Sequence, residues 1–283
     1  MPQIIDGKKI STEIKEELKE QVAGLKAKGI EVTLAVIQVG NDPASSVYVG
    51  NKKKACEYIG IRSLAYELEE ATTEDELLQL IDELNEREDV NGILVQLPLP
   101  AQIDEDKVIR RISPKKDVDG FHPQNVGALC IGEPGFVSCT PAGIIQLLKR
   151  SGIEMEGKEC VVIGRSNIVG KPMALLLLRE NGTVTVAHSR TKNLQEITRR
   201  ADILVAAVGK PKMITADYVK EGAVVIDVGI HRNADKKLCG DVDFDSVAPK
   251  CSAITPVPGG VGPMTIAMLM HNCVESVKLQ QRQ

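Results

Sequence analysis

Apolar and polar positions repeat along the chain with two periods, one typical of helices and one of buried strands. Apolar side chains at 10, 14, 18, 22 and 25 have helical spacing and predict an amphipathic helix. An apolar run at 32–39 predicts a buried strand, which a Gly-Asn-Asp-Pro turn closes at 40–43. The alternation then predicts a helix at 45–59, a strand at 63–68, a helix at 73–87 with Thr73 and Glu76 as its capping box, and a strand at 92–97.

The pattern breaks at 113–140, a stretch rich in Gly, Pro and Asp that predicts a long functional loop. Thr140-Pro141 predicts an N-cap followed by Pro in the first turn of a helix reaching about Arg150. A second series follows, with strands at 160–164, 183–187, 203–208 and 224–228 and a helix at 172–180. Strands and helices that alternate in this way predict an α/β fold with mostly parallel sheets and a domain boundary near 120–145.

Composition excludes several classes of protein. The chain has 283 residues, which suggests about two domains, and its 43% hydrophobic and 26% charged residues are typical of globular proteins. Its net charge of −4 and scarcity of aromatic residues argue against a nucleic-acid partner, and apolar runs of at most six residues argue against a membrane span. Seven cysteines without C-x-x-C spacing and four scattered histidines favour a reducing cytoplasm and no metal site. The N-terminus lacks the pattern of a signal peptide.

Gly164 and Gly170 bracket a turn between a predicted strand and a predicted helix. Such a turn directs backbone amides at a dinucleotide pyrophosphate. The middle glycine of the usual G-x-G-x-x-G is absent, so a purely structural turn is an equally good interpretation of the glycines alone. The next strand ends at His188-Ser189-Arg190-Thr191, without the carboxylate typical of an NAD site. Arg165 and Arg190 favour the phosphate of NADP instead, the alternative being two solvated surface arginines.

Tyr48 and Lys52 are four residues apart and share one face of the predicted helix 45–59. A lysine beside the like charges of Lys53 and Lys54 is a candidate for proton transfer near neutral pH, whereas the alternative is a solvated lysine run. Short-chain dehydrogenases use the same spacing, but downstream of their nucleotide loop rather than far upstream of it.

Three further polar points fall in predicted loops. Gln96 ends a strand, where ligands bind in open α/β sheets. Asp117 and Asp119 lie in Lys-Asp-Val-Asp-Gly, and a carboxylate such as Asp119 suits two N–H groups of a fused-ring amidine. Thr265 follows a Gly- and Pro-rich stretch at 256–263 that allows close backbone approach to a ligand. Taken singly, each of these is also explained by turn chemistry.

Together these segments resemble the bifunctional methylenetetrahydrofolate dehydrogenase/methenyltetrahydrofolate cyclohydrolase family. The matching motifs are Tyr48-x-x-x-Lys52, Val95-Gln96-Leu97-Pro98-Leu99-Pro100, Lys116-Asp117-Val118-Asp119-Gly120, Gly164-Arg165-Ser166-x-Ile168-Val169-Gly170-x-Pro172 and Pro256-Val257-Pro258-Gly259-Gly260-Val261-Gly262-Pro263-Met264-Thr265. They occur in the family's order over almost the whole chain, and the missing middle glycine is a family feature.

The resemblance implies two α/β domains with a cleft between them. It assigns an N-terminal catalytic folate-binding domain to 1–120, a C-terminal Rossmann-like NADP-binding domain to 140–263, and a C-terminal helix at 264–283 that packs back on the first domain. It also implies a cytoplasmic homodimer with NADP as cofactor, tetrahydrofolate one-carbon derivatives as substrates, and a role in one-carbon metabolism that serves purine, methionine and histidine biosynthesis.

The resemblance further implies a role for each motif residue. Lys52 is the catalytic lysine, Tyr48 stacks on the aminobenzoyl ring, Gln96 supports Lys52 and Asp119 anchors the pterin. The remaining predicted substrate contacts are Leu97, Pro98, Pro258, Gly259 and Thr265. The predicted cofactor contacts are Gly164, Arg165, Ser166, Ser189, Arg190 and Ile230.

The implied activity is oxidation of methylenetetrahydrofolate with NADP, followed by hydrolysis of the methenyl product to 10-formyltetrahydrofolate. Two alternatives stay open at this point. One is a monofunctional, NAD-linked dehydrogenase of the same architecture. The other is a non-catalytic dinucleotide sensor, which would leave Lys52, Gln96 and Asp119 unexplained.

Overall fold

The computed structural model describes residues 1–233 and 236–280. The chain forms two compact units. The three-stranded unit comprises Glu13–Val137 and the chain from Ile266 onward, and the six-stranded unit comprises Met1–Thr12 and Ser138–Thr265. Each unit contains a parallel sheet with helices around it, so the fold is α/β, as the alternating pattern predicts.

The three-stranded unit contains a parallel sheet in the order β3-β2-β4. Its strands are β2 (Thr33–Val39), β3 (Arg62–Leu68) and β4 (Gly92–Val95). Its helices are α2 (Pro43–Ile59), α3 (Glu74–Glu86), α4 (Glu105–Arg111) and α5 (Pro123–Ile131), together with most of α1 (Gly7–Lys26) and α10 (Val261–Gln280). Every residue of the central strand β2 is buried, because the strand has a neighbour on each side and helices on its faces.

Local sequence explains why these helices form. In α1 the apolar positions Ile14, Leu18 and Val22 are buried, as their helical spacing predicts. The predicted capping box of α3 is present: Thr73 accepts from the backbone of Glu76, whose carboxylate accepts from the backbone of Thr73. The buried side of α3 then packs on the sheet through residues such as Ile81.

The six-stranded unit contains a wholly parallel sheet in the order β1-β11-β8-β7-β5-β6. Its strands are β1 (Gln3–Ile4), β5 (Glu159–Ile163), β6 (Thr183–Ala187), β7 (Ile203–Ala206), β8 (Val224–Asp227) and β11 (Ala253–Ile254). The other elements of the unit are α6 (Cys139–Arg150), α7 (Gly170–Arg179), α8 (Leu194–Thr198), α9 (Phe244–Val247) and the antiparallel pair β9 (His231–Arg232) and β10 (Leu238–Cys239).

Strand order places a switch point in each sheet. The chain passes from β5 to β6 on one side and then crosses to β7 on the other side of β5. In the three-stranded sheet it passes from β2 to β3 and then crosses to β4 on the other side of β2. Ligands of open α/β sheets bind beyond the carboxyl ends of strands at such points. The segments after β4 and β5 are therefore the candidate ligand sites.

The structure corrects two expectations about the segment around residue 140. The stretch at 113–140 is not a continuous loop, because it contains the nine-residue helix α5. Thr140 is not the N-cap of α6, which starts one residue earlier and has Ser138 in that position. The Thr140 hydroxyl instead lies 2.8 Å from the hydroxyl of Thr265, and that of Ser138 donates to the carbonyl oxygen of Ile168.

The domain assignment from sequence groups residues 1–12 and the C-terminal helix with the N-terminal domain, and the units differ from it at the N-terminus. Residues 1–12 belong to the six-stranded unit, because β1 pairs with β11. The C-terminal helix starts at Val261, and from Ile266 its residues belong to the three-stranded unit, where Asn272 donates to the carbonyl oxygens of Val118 and Val137. Positions 281–283 of the expected helix lie outside the described residues.

Among residues 1–233 and 236–280, no helix is both long and apolar enough to cross a membrane. The same residues contain no group of three or more His, Cys, Asp or Glu side chains that could hold a metal ion.

Candidate active site

A buried lysine–glutamine pair lies at the switch point of the three-stranded sheet. Lys52 on α2 is 9% exposed, and its Nζ donates to Oε1 of Gln96 at 2.9 Å. Gln96 follows β4 directly and is anchored by its own backbone amide, which donates to the carbonyl oxygen of Ile37. Its Nε2 donates to the carbonyl oxygen of Leu97 at 2.6 Å, so the amide presents Oε1 to the lysine. The pair therefore holds one amine in a defined position.

Tyr48 lies one helical turn before Lys52 on α2. Its side chain is 37% exposed, and desolvation raises the pKa of its phenol. Lys53 and Lys54 are exposed, unlike Lys52, so only one lysine of the run is buried. The structure thus separates a buried amine from a solvated pair that the sequence alone could not distinguish.

The two aspartates of the Lys-Asp-Val-Asp-Gly motif have different environments. Asp117 is buried and accepts from the backbone of Phe121 and His122 and from Nδ2 of Asn125, so it organises the turn before α5. Asp119 is half-buried and accepts no hydrogen bond from the described residues. The pKa of Asp119 is raised to about 6, because burial, with a smaller contribution from the charge of Asp117, outweighs the lowering effect of the charge of Lys52. Asp119 is therefore the carboxylate available to a ligand.

The turn after β5 leaves no room for side chains. Gly164 has φ +136°, and a β-carbon there would lie 2.5 Å from the carbonyl oxygen of Ala207. A β-carbon at Gly170, the first residue of α7, would lie 2.3 Å from the carbonyl oxygen of Gly164. Ser166 Oγ accepts from the backbone amides of Val169 and Gly170 and so shapes the turn. The two glycines are thus required for a close-packed turn that opens on a helix N-terminus.

The predicted adenosine end of the cofactor site is the loop after β6. Ser189 and Arg190 are exposed there, and the backbone amide of Arg190 donates to Nδ1 of His188. Arg165 is exposed in the turn after β5, and neither arginine forms an ion pair with any carboxylate in the described part of the chain. Two unpaired guanidinium groups and a close-packed turn before a helix fit a dinucleotide that carries an additional phosphate.

Most of the remaining predicted contacts lie in loops, but Thr265, which was expected in a loop, lies in the helix α10. Leu97 and Pro98 follow Gln96 and are joined by a cis peptide bond, as are Val257 and Pro258. In the six-stranded unit, Gly259 has φ +101° and Ile230 is 46% exposed just after β8.

Thr265 pairs with Thr140, which motif analysis had treated only as a helix cap. Pro258, Gly259 and Thr265 belong to the six-stranded unit, whereas Tyr48, Lys52, Gln96 and Asp119 belong to the three-stranded unit.

Comparison with known proteins divides the chain between residues 119 and 138, close to the Val137–Ser138 boundary of the two units, but it assigns 5–12 and 266–281 to the opposite parts. Residues 5–119 match the model of the tetrahydrofolate dehydrogenase/cyclohydrolase catalytic domain, and residues 138–281 match that of the tetrahydrofolate dehydrogenase/cyclohydrolase NAD(P)-binding domain. The chain belongs to the tetrahydrofolate dehydrogenase/cyclohydrolase family. The resemblance drawn from the sequence motifs is thereby confirmed.

Individual family members are similar over almost their full length. The bifunctional protein FolD of Lachnoclostridium phytofermentans is 76% identical over 278 residues, which cover 98% of this chain and 99% of that protein. The solved structure of the bifunctional methylenetetrahydrofolate dehydrogenase/cyclohydrolase FolD from Campylobacter jejuni is 54% identical, with a TM-score of 0.97 over 99% of this chain and 100% of that one. The Trypanosoma brucei enzyme, solved with NADP cofactor and an inhibitor, is 40% identical with a TM-score of 0.95 over all of both chains.

Sequence reasoning missed residues whose partners are distant along the chain. Asn125, which binds the Asp117 carboxylate, lies in a stretch treated as a loop. Asp227 and Asp241 in the NAD(P)-binding part are buried, and both carboxylates bind backbone amides. One sequence pattern could have indicated these two aspartates: each lies close to a glycine, in Asp-Val-Gly at 227–229 and Gly-Asp at 240–241.

Proposed function

We propose that this chain interconverts one-carbon units on tetrahydrofolate, with Lys52 as the group that moves protons in the hydrolytic step. The enzyme oxidises 5,10-methylenetetrahydrofolate to 5,10-methenyltetrahydrofolate with NADP, and it hydrolyses the methenyl compound to 10-formyltetrahydrofolate. The observation that carries the assignment of Lys52 is its buried amine, held by one neutral amide acceptor at 2.9 Å.

The oxidation requires positioning rather than a protein base. Bound NADP supplies the hydride acceptor. The lone pair of the nitrogen beside the bridging methylene carbon expels the hydride, and a methenyl cation results. The chain contributes by holding the reactants in position. In our proposal, Gly164, Ser166 and the N-terminus of α7 hold the pyrophosphate of the cofactor.

We assign the additional phosphate of NADP to Arg165 and Arg190. Both guanidinium groups are exposed and free of carboxylate partners among the described residues, and guanidinium groups bind phosphate in bidentate fashion. Ser189 is the neighbouring hydroxyl donor, and the exposed side chain of Ile230 is the apolar contact proposed for the other end of the cofactor.

The hydrolysis needs one group that both accepts and donates a proton. Water attacks the cationic methenyl carbon and loses a proton, and a ring nitrogen then gains a proton before its bond to that carbon breaks. A single side chain that works near neutral pH meets both needs. Lys52 is that group in our proposal, because it is buried, oriented by Gln96 and separated from the solvated Lys53 and Lys54.

The neighbours of Lys52 position the folate. We assign Tyr48 to stacking on the aminobenzoyl ring, since its partly exposed ring lies one turn from Lys52 on the same helix. Asp119 anchors the pterin by accepting two N–H groups, for which its carboxylate has free oxygens. Leu97 and Pro98 follow Gln96 and are assigned to the same substrate, as are Pro258, Gly259 and Thr265.

We also infer that the enzyme is a cytoplasmic homodimer without nucleic-acid or membrane partners. No disulfide joins any of the seven cysteines, all of which lie in the described part of the chain, as is typical of a reducing compartment, and the net charge is −4. The dimeric state is inferred from the family resemblance. Sizing at micromolar concentration should give about twice the mass of one chain, and a single-chain mass would contradict it.

One assay tests the proposed function. The enzyme is mixed with methylenetetrahydrofolate and NADP, and the absorbance of reduced cofactor and of methenyl product are followed together. We expect reduced cofactor to accumulate well ahead of the methenyl compound, because hydrolysis consumes the latter. If the amount of methenyl product stays equal to the amount of reduced cofactor, the chain is a dehydrogenase only. If no cofactor is reduced, the proposal is rejected.

A further inference from the structure

Asp241 is fully buried in the six-stranded unit and receives four hydrogen bonds. Its Oδ2 accepts from the backbone amides of Val208 at 2.6 Å and Gly209 at 3.0 Å. Its Oδ1 accepts from the backbone amide of Lys210 at 2.9 Å and pairs with Nε2 of His231 at 2.8 Å. A single carboxylate therefore binds three consecutive amides of the loop after β7 and a side chain from the loop after β8.

Asp227, the last residue of β8, fixes Asp241 in turn. Its Oδ1 accepts from the backbone amides of Gly229 and Asp241, each at 2.9 Å, and its Oδ2 accepts from Val242 at 3.0 Å. A β-carbon at Gly229 would lie 2.4 Å from the amide nitrogen of Asp241, and one at Gly240 would lie 1.8 Å from Oδ2 of Asp227. The two carboxylates and the two glycines thus form a close-packed cluster.

Both loops held by Asp241 adjoin residues assigned to the cofactor. Ala207, which immediately precedes the three bound amides, contacts Gly164 so closely that a β-carbon at Gly164 would lie 2.5 Å from its carbonyl oxygen. His231 immediately follows Ile230, whose Cδ1 would lie 3.5 Å from a β-carbon at Gly262 in the Gly-rich loop. The position of Asp241 therefore sets the backbone that follows β7 and β8, on the β7 side of the β5–β7 switch point.

We propose that Asp241 is a positioning residue for NADP, acting through the loops at 208–210 and 229–231 and assisted by His231. The inference rests on the proposed function of the six-stranded unit. Asp241 does not touch the cofactor; it holds in place the backbone that does.

The charge of Asp241 is essential to this role. Four donors converge on two oxygens, so each oxygen must accept two hydrogen bonds. Asparagine has the same shape as aspartate, but one of its two terminal atoms is an NH2 nitrogen, which donates hydrogen bonds and does not accept them. In either orientation of the side chain, this nitrogen would face two of the four donors. Asp241→Asn is therefore expected to loosen both loops without creating a cavity.

The test compares kinetic constants of folded variants. Asp241→Asn is expected to raise the KM for NADP about tenfold and to leave the hydrolysis of supplied methenyltetrahydrofolate unchanged, because Lys52 and Gln96 lie in the other unit. The matched control is Asp243→Asn, two residues further on, where a partly exposed carboxylate pairs with Lys212. That control should have the KM of the unsubstituted enzyme.

A second pair of variants covers the case in which Asp241→Asn does not fold. His231→Leu removes one donor and should raise the KM for NADP about threefold, whereas His231→Gln places an amide nitrogen where Nε2 lies and should restore it. An unchanged KM for NADP in folded Asp241→Asn would overturn the proposal. Equal KM values for NADP in His231→Leu and His231→Gln would overturn it as well. If the unsubstituted enzyme does not reduce NADP, it is the proposed function that fails instead.

Discussion

Asp117 and Asp119 show how two carboxylates of one motif can have separate roles. They are two residues apart, yet Asp117 uses its oxygens on backbone amides and Asn125, while Asp119 has no hydrogen bond from the described residues. The spacing of the motif does not rank them, and only the family resemblance assigns the pterin to Asp119. The ranking depends on Asn125, whose contact with Asp117 forms only when α5 folds.

The raised pKa of Asp119 gives a pH dependence with a defined sign. Burial raises this pKa from 3.8 to about 6, so the carboxylate that accepts pterin N–H groups is lost as the pH falls through about 6. We expect kcat/KM for the folate substrate to fall about tenfold per pH unit below that value. The profile should be measured between pH 5 and 8, a range of about three units around this pKa.

Asp119→Asn serves as the control for this profile. Its activity should be low and should lose the inflection near pH 6, because asparagine does not titrate. An identical inflection in the variant would show that another group is responsible for it.

Elements with long periodic patterns can be predicted from the sequence. Short elements, and features that depend on contacts between distant residues, cannot. The helices α1, α2 and α3 lie close to where apolar spacing and capping signals predict them. The strands β1 and β11 have two residues each and exist because they pair with one another across the sequence, so no local pattern indicates them. The wrong N-cap of α6 has the same cause, since the hydroxyl of Thr140 bonds to Thr265 from the far end of the unit.

The C-terminal end of α3 offers a test of one long-range contact. The buried Nζ of Lys116 donates to the carbonyl oxygens of Leu84, Asn85 and Arg87 at 2.7–3.0 Å. Lys116→Met keeps the length of the side chain and leaves these acceptors without their donor, so we expect unfolding to become easier by about 2 kcal/mol. Denaturant unfolding measures the change. Lys28→Met, at an exposed position just after α1, should change stability by much less, and equal effects would contradict this role.

We assign the choice of nicotinamide cofactor to the loops after β5 and β6. We expect kcat/KM to be higher with NADP than with NAD, because two arginines and no carboxylate occupy these loops. Arg165→Ala and Arg190→Ala should each raise the KM for NADP about tenfold and leave that for NAD nearly unchanged. Equal kcat/KM for the two cofactors in the unsubstituted enzyme would contradict the assignment.

At the scale of the whole molecule, the groups that we assign to the cofactor and to proton transfer come from different units. The six-stranded unit provides the turn and arginines assigned to NADP, and the three-stranded unit provides the amine assigned to hydrolysis. Much of this division could be predicted, because the motifs stand in order along the chain and each follows a strand. The membership of residues 1–12 could not, because β1 belongs to the six-stranded sheet only through its distant pairing with β11, whereas the family resemblance already implies that the C-terminal helix returns to the first domain.

The most direct test of the account is Lys52→Met, assayed separately for hydrolysis of methenyltetrahydrofolate and for reduction of NADP. Methionine retains the buried apolar stem of lysine and removes the amine that moves protons. We expect hydrolysis to fall by a factor of about a thousand or more and hydride transfer to persist at least in part, while Lys53→Met leaves both reactions intact. Full hydrolytic activity in Lys52→Met would contradict the account.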